Sequence, residues 1–314
     1  MSSDLYNKNI YINVVLRSVL GVLSTAGNGL VIFIILRNKN AVRDGFNVLL
    51  LQLALGDLFI GFGNVVRVVE SLLNHFKLLT VTPINCFLVE LPLLIGINLS
   101  QLIMFLIAVD RFICITQLHG MTLINNKTFI WTRASLCISF ALLVSFAALI
   151  GLDTTVPIGV RACYVTMGWS RSYLNYFSGL TTFFSITIVV AYALTFLSYW
   201  CYQKRATHSI IHRERRIAQT LMLIVLAYLV FWCLPRFVTF VYKWIGVENG
   251  FSQSVTGSIG YLNALNSLVN VAIYGCKHRQ IRDGMLAVLG LAASKYVAGN
   301  KIFTTVSSTM NHHR

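Results

Sequence analysis

Asp110-Arg111-Phe112 closes an apolar run that opens at Cys86 and reads CFLVELPLLIGINLSQLIMFLIAVDRF. About 20 apolar residues, rising 1.5 Å each, cross a bilayer as a helix, so a charge pair stands where this helix leaves the lipid. One such pair alone can be an interfacial pair snorkelling to water. Other polar residues at bilayer depth change that reading, because each costs roughly 2.5–3.5 kcal/mol to insert and so requires an interior place and a partner. Asp57 lies in LALGDLFIG, Asn28 in AGNGL, Ser100 in the Cys86 run, and Asn263, Asn266, Ser267 and Asn270 in a later run. Asn263, Asn266 and Asn270 recur at helical spacing and share one stripe. A carboxylate such as Asp57 facing hydroxyls and amides offers hard oxygen ligands to a small cation or a water cluster. It equally suits a hydrogen-bonded network that glues helices together without an ion. Histidines 75, 119, 208, 212, 278, 312 and 313 fall in loops, inner segments or the tail, with no nucleophile or metal spacing around them. No catalytic residue is assigned, and enzyme chemistry is not expected.

The elements that must position these residues are long helices. The chain of 314 residues is 56% hydrophobic and 11% charged, with only four prolines, whereas soluble domains carry about 25% charged residues. Apolar runs at Ile12–Leu36, Phe46–Leu73, Cys86–Ile115, Phe129–Leu152, Tyr173–Tyr202, Ile217–Trp244 and Phe251–Gly275 are each long enough to span a bilayer. The fold class is an all-α membrane protein, a bundle of seven transmembrane helices. The net charge of +15 lies mostly between the runs, where the positive-inside rule accounts for it without a nucleic-acid partner. Arg37, Lys39, Arg43, Lys127, Lys204, Arg205, Arg213, Arg215, Arg216, Lys277, Arg279 and Arg282 share one side if the N-terminus is outside. No cleaved signal peptide is evident at the N-terminus. Residues 277–292 pattern as a short amphipathic helix on the inner leaflet, completing one membrane domain over 1–292, and 293–314 read as a disordered cytoplasmic tail. Cys86 and Cys163 both fall on the outer side, where an oxidising compartment would join them. Cys114, Cys137, Cys201, Cys233 and Cys276 read as packing thiols.

In this order and spacing, several motifs resemble the rhodopsin-like (class A) G-protein-coupled receptors over nearly the whole chain. They are Asn28 in GN, Leu53-Ala54-x-x-Asp57, Cys86 opening the third helix, Asp110-Arg111-Phe112 closing it, Pro235 in the sixth and Asn270-x-x-x-Tyr274 in the seventh. Trp131 sits too near the inner end to match the family's fourth-helix tryptophan, and the fifth helix has no proline. Cys-Trp-x-Pro is replaced by Trp232-Cys233-Leu234-Pro235, and Asn-Pro-x-x-Tyr by Asn270-Val271-Ala272-Ile273-Tyr274. With these departures the chain looks most like nematode serpentine chemosensory receptors of the sx class.

The resemblance implies a multi-pass plasma-membrane receptor acting on a heterotrimeric G protein. Arg111 would pair with Asp110 at rest; on activation it would turn toward Tyr192, Tyr274 and the G protein as the inner end of the sixth helix swings out. Arg215 replaces the family's acidic partner there, which implies a looser resting state. Pro235 would kink the sixth helix, Cys233 would stand where the family places a toggle tryptophan, and Trp232 is expected to face lipid. Asn28, Asp57, Ser100, Asn266, Ser267 and Asn270 match the family's sodium pocket, which favours the ion over the dry network. The ligand pocket would include Glu90, Leu93, Ile97, Tyr176, Arg236, Phe237, Phe240 and Asn263. Leu93 stands where amine receptors carry a carboxylate, and Ala264 where opsins carry the retinal-binding lysine, which excludes an opsin. Arg236 could receive an anionic or carbonyl-bearing ligand, or pair internally with Glu90 or Glu70. A small molecule or short peptide fits entry into the bundle, and the basic inner segments suit anionic membrane lipid as well as a G protein. The alternatives are a neuropeptide-type receptor of the same superfamily and a seven-span channel or transporter, the latter disfavoured by the absence of repeats or paired helix breaks.

Overall fold

The structure is a computed structural model of the chain and describes residues 3–39, 41–76, 78, 81–116, 126–152, 163, 168–203, 222–246 and 250–288. Backbone groups in lipid have no water to bond, so each span satisfies them internally as a helix. The helices are α1 (Ser3–Arg37), α2 (Gly45–His75), α3 (Pro83–Thr116), α4 (Lys127–Phe146) and α5 (Arg171–Gln203). They continue with α6 (222–244), α7 (Gly250–Lys277) and the short α8 (Arg279–Val288). No strand occurs among the described residues. Helices α1 to α6 each hold a stretch long and apolar enough to cross a membrane. In α7, with its stripe of asparagines and serines, the burial of Asn263, Asn266, Ser267 and Asn270 against neighbouring helices takes the place of lipid exposure.

Local chemistry sets the ends. Asn126, part of a sequon-like Asn-Lys-Thr, caps α4: its side-chain oxygen accepts from the Thr128 amide at 3.0 Å. Helix α4 stops at Phe146, short of the expected Leu152, and runs through a 3₁₀ turn, Ala147–Leu149, to Gly151 at φ 75°, a left-handed conformation suited to glycine. Helix α1 starts earlier than the expected Ile12, and α8 is shorter than the expected 277–292, of which 289–292 lie outside the described residues with the tail.

Packing is tightest between α1, α2 and α3. A Cβ on Gly96 of α3 would fall 2.6 Å from the Gly56 carbonyl oxygen of α2, and one on Gly63 would fall 2.7 Å from the Leu93 amide nitrogen. Only glycine admits so close an approach, as small residues do at membrane helix seams. Helix α3 also packs on α4 and α5, α7 on α1, α2 and α6, and α8 on α1 and α7. One apolar core runs through the bundle from Ala41 and Ile107 to Phe87 and Trp169. Large apolar side chains on the outer faces, such as Leu143 and Phe183, remain exposed to the lipid position.

Helix α6 departs most from regular geometry. Five residues, Leu229–Cys233, form a π-helical turn immediately before Leu234 and Pro235. The proline lacks an N–H and its ring crowds the carbonyl four residues back, Phe231, which lies in that widened turn. The extra residue changes the facing of the neighbouring side chains, with the consequence described below.

Candidate functional site

Cys86 and Cys163 form a disulfide, Cα to Cα 5.3 Å, pinning the start of α3. It marks the outer end of the bundle, since such bonds persist in oxidising compartments. Polar groups then cluster at three depths.

At the inner end, Arg111 donates to Asp110 Oδ2 from Nε at 3.1 Å and Nη2 at 2.5 Å, and its guanidinium lies 4.4 Å from the Phe46 ring centre. Both ionic residues are buried, 3% and 8% exposed, so this is an interior ion pair rather than a snorkelling one. Arg133 of α4 brings a second cation: Nη1 lies 3.5 Å from Asp110 Oδ1, and Nη2 donates to the Gly45 carbonyl at 3.3 Å. Neither Arg133 nor Phe46 was expected at this site from the sequence. Tyr192 of α5 and Tyr274 of α7 are fully buried with hydroxyls that have no hydrogen-bond partner among the described residues. Tyr192 is within electrostatic reach of Arg111, and Tyr274 of Tyr192 and Asp57, so a buried polar line joins the inner ion pair to the middle of the bundle. Arg215 lies outside the described residues.

At mid-depth, Asp57 is fully buried and accepts from Ser100 Oγ at 3.1 Å and Asn270 Nδ2 at 2.9 Å. Its backbone carbonyl accepts from Ser267 Oγ at 3.1 Å. Asn28 Nδ2 donates to Ser267 Oγ at 3.0 Å and to the Ser24 carbonyl at 2.9 Å, and the Ser24 and Ser267 hydroxyls meet at 2.5 Å. Ser24, one helical turn before Asn28, is a hub that was missed; its spacing was the available signal. Side-chain oxygens of Asn28, Asn266 and Asn270 are buried without a donor among the described residues. A carboxylate facing only neutral donors, with three unpaired amide oxygens on the surrounding helices, is a donor set that fits a small hard cation.

At the outer level, Arg67 of α2 pairs with Glu90 of α3 at 2.8 Å. Arg236 therefore does not pair with Glu90, as had been one expectation, nor is it bridged to Glu70. It lies 3.8 Å from the ring centre of Trp232, which stacks in turn on Tyr228 with ring centres 5.8 Å apart. Trp232 is 1% exposed. The expectation that it faces lipid is corrected: with the π turn, Trp232 points into the core, while Cys233 is half-buried. The proposed pocket also divides. Leu93, Ile97, Glu90 and Asn263 are buried in the bundle, but Tyr176, Phe237 and Phe240 are 50%, 63% and 59% exposed on the outer faces of α5 and α6. Those three belong to the lipid side, because aromatic residues alone do not tell an inward face from an outward one. Leu93 is committed to the α2–α3 seam at Gly63.

Comparison with known proteins agrees with this arrangement. The family profile described as 7 transmembrane receptor (rhodopsin family) matches residues 27–274. The chain is similar to a blue-sensitive opsin of Anolis carolinensis, 25% identical over 285 residues, covering 83% of this chain and 75% of that protein. It is also similar to a rhodopsin of Oryzias latipes, 22% identical over 301 residues, covering 90% and 81%, and to a rhodopsin of Leucoraja erinaceus, 20% identical over 298 residues with the same coverage. These relatives are vertebrate opsins, and what they support is the rhodopsin-family bundle rather than a nematode chemosensory branch.

Proposed function

The chain belongs to the rhodopsin family of seven-transmembrane receptors, and from that premise we propose that it is a chemosensory G-protein-coupled receptor. A small molecule or short peptide enters the outer half of the bundle, and the inner ends of α3, α5, α6 and α7 activate a heterotrimeric G protein. The observation that carries this reading is the buried Arg111, held by Asp110 and within electrostatic reach of Tyr192, whose hydroxyl has no hydrogen-bond partner among the described residues. A buried cation whose second partner stands ready on another helix has two places to go, which is what a switch requires.

At rest Asp110 neutralises Arg111. When the inner end of α6 moves outward, Arg111 exchanges that carboxylate for Tyr192, Tyr274 and the G protein, and Tyr274 carries the change to Asn270 and Asp57. Asp57, Ser100, Asn270 and the amide oxygens of Asn28 and Asn266 would hold a sodium ion, which supplies a positive charge opposite the buried carboxylate. Motif departures at Cys233 and Val271 support the nematode-like chemosensory branch within the family. Retinal bound through a lysine is not part of this reading, because the matching position in α7 is the buried Ala264.

The test is G-protein nucleotide exchange in membranes containing the full chain or its Arg111→Ala form, at matched surface density, with pooled volatile and water-soluble compounds. Exchange that responds to a pool and disappears in Arg111→Ala is the expected result. Conductance or uptake that survives the substitution would move the protein to the channel or transporter class.

A further inference from the structure

Asp110 is shared by two arginines, one on each carboxylate oxygen. Oδ2 accepts from Arg111, while Oδ1 lies 3.5 Å from Arg133 Nη1. The side chains of Asp110, Arg111 and Arg133 are 1%, 10% and 12% exposed, so two cations and one anion are withdrawn from water together. Helix α3 packs there on α2, α4 and α5, and what these bring besides Arg133 is uncharged. The Phe46 ring and the Gly45 carbonyl come from α2, and Tyr192, within reach of Arg111, from α5. Asp44, beside Gly45, lies within electrostatic reach of His278. Among the described residues no other charged group pairs with Asp110.

The two arginines are tethered differently. Arg111 lies over the Phe46 ring and has Tyr192 as a second place to go. Arg133 is anchored: Nη2 donates to the Gly45 carbonyl at the start of α2, and the guanidinium lies 5.7 Å from the Phe129 ring centre on its own helix. Helix α2 is locked to α3 by the glycine seam, so Arg133 is tied to the part of the bundle that carries Asp110. One arginine is enough to neutralise one carboxylate, and burying a second costs further desolvation. The second becomes useful when the first leaves. A buried carboxylate that loses its cation must take up a proton or meet another cation. Arg133 already stands on the other oxygen, and departure of Arg111 turns an excess of positive charge into a balanced pair.

We propose that Arg133 is a positioning residue of the switch: it keeps Asp110 ionised after Arg111 has left, so that coupling proceeds without proton uptake from the inner solution. This rests on the receptor reading, in which Arg111 is the group that moves. Without Arg133, the released carboxylate takes one proton from the inner solution. Acid then favours the coupled state, because the state that binds the proton gains as the pH falls.

The first experiment needs no G protein. Arg111→Ala leaves Asp110 as it stands after release. Full-length receptor of this form in lipid nanodiscs is followed by infrared spectroscopy from about pH 8 to about pH 5.5, above the ordinary carboxyl range. A protonated-carboxyl band that disappears on adding Asp110→Asn belongs to Asp110. The expected result is no such band in Arg111→Ala, a band growing toward acid in Arg111→Ala/Arg133→Gln, and its suppression in Arg111→Ala/Arg133→Lys, which keeps the charge. A band in Arg111→Ala itself overturns the inference, as does its absence from a folded Arg111→Ala/Arg133→Gln. The second experiment reads ligand-free nucleotide exchange against the wild type at each pH. Arg133→Gln should lower it by roughly 10-fold or more near neutrality, the low end for one hydrogen bond to a charged group. The deficit should shrink in mild acid, and Asp110→Asn/Arg133→Gln should lose that pH dependence. A deficit of equal size at every pH would mean that Arg133 acts through packing alone, and overturns the proposal even where the double variants fail to fold. Exchange that is unchanged by Arg111→Ala, whatever the infrared band does, is failure of the receptor reading instead.

Discussion

Asp110→Asn should raise the ligand-free activity of the receptor. Asp110 Oδ2 accepts two hydrogen bonds from Arg111, at 3.1 and 2.5 Å, and on the proposed reading these hold the receptor at rest. Hydrogen bonds to charged groups contribute about 1.5–3 kcal/mol, and charge assistance supplies roughly half of that. Asparagine keeps an oxygen acceptor of the same shape but not the charge. Across the shared pair the loss is on the order of 2 kcal/mol, equivalent to about a 30-fold shift toward released Arg111. Arg133→Gln supplies the contrast of sign. Its Nη1 is at 3.5 Å, the edge of a useful contact, and its removal leaves Asp110 wholly to Arg111. Basal exchange should then stay level or fall. The assay is the initial rate of nonhydrolysable GTP-analogue binding in membranes with matched receptor density and no ligand. A basal rate unchanged or lowered in Asp110→Asn, or raised in Arg133→Gln, would refute the reasoning that the carboxylate holds Arg111 at rest.

Sodium should stabilise the wild-type receptor more than choline at equal ionic strength, and Asp57→Asn should abolish the difference; an equal midpoint in both salts for the wild type counts against the ion. Gly96→Val places branched carbons where even a single added Cβ would fall 2.6 Å from the Gly56 carbonyl oxygen, so surface expression and thermal stability should drop by the equivalent of about 1–3 kcal/mol; a variant of normal stability would mean the α2–α3 seam is loose. His278, at the turn between α7 and α8, is held below its ordinary value of 6.5 by burial, with Asp44 acting in the opposite direction. Because the unfolded junction binds the proton more readily, its stability is complete above pH 6.5 and is lost as the pH falls through the lower folded value. Amide exchange in α8 should therefore quicken in mild acid, and His278→Gln should remove that dependence.

How much of this could be read from the residues differs by depth. The helices and the Asp57 network were legible because a polar group in an apolar run has few explanations, and helical spacing says which of them share a face. The disulfide followed from which cysteines lie outside. Ser24 was overlooked because a hydroxyl among apolar residues can satisfy itself on its own helix, so its presence carries little information. Arg133 was overlooked because it lies near the basic inner side, where arginine needs no special reason. Tyr176, Phe237 and Phe240 were misplaced because lipid and protein interior are equally apolar, and aromatic residues suit both. Trp232 was misplaced for a different reason. Its direction depends on one extra residue in the π turn, and no residue type there signals that the ladder widens ahead of Pro235.

The distribution of packing implies which half of the bundle stays fixed. In the central stretches of α2 and α3, 67% of residues are buried, against 28–33% in α1, α4, α5 and α6. The close glycine-to-backbone contacts between helices, at Gly21, Gly56, Gly61, Gly63 and Gly96, lie on α1, α2 and α3, so these helices meet backbone to backbone and have little room to slide. Asp57, Asp110, Arg111, Arg67 and Glu90 are all carried on α2 and α3, and the charges therefore form a fixed frame. Tyr192 and Trp232 are carried on α5 and α6, and α5 meets that frame through side chains such as Thr195, whose hydroxyl donates to the Ala108 carbonyl at 3.3 Å. Side-chain packing has alternative arrangements where a glycine seam does not, and α6 already departs from α-helical register at Leu229–Cys233. The Tyr228–Trp232–Arg236 stack spans that turn on one face, so returning the turn to α-helical register would rotate Trp232 away from the core and carry the inner part of α6 with it. On the proposed coupling reading, motion would fall in the half of the molecule that holds no buried carboxylate, and Asp110 would keep Arg111 until the tyrosine hydroxyls arrive.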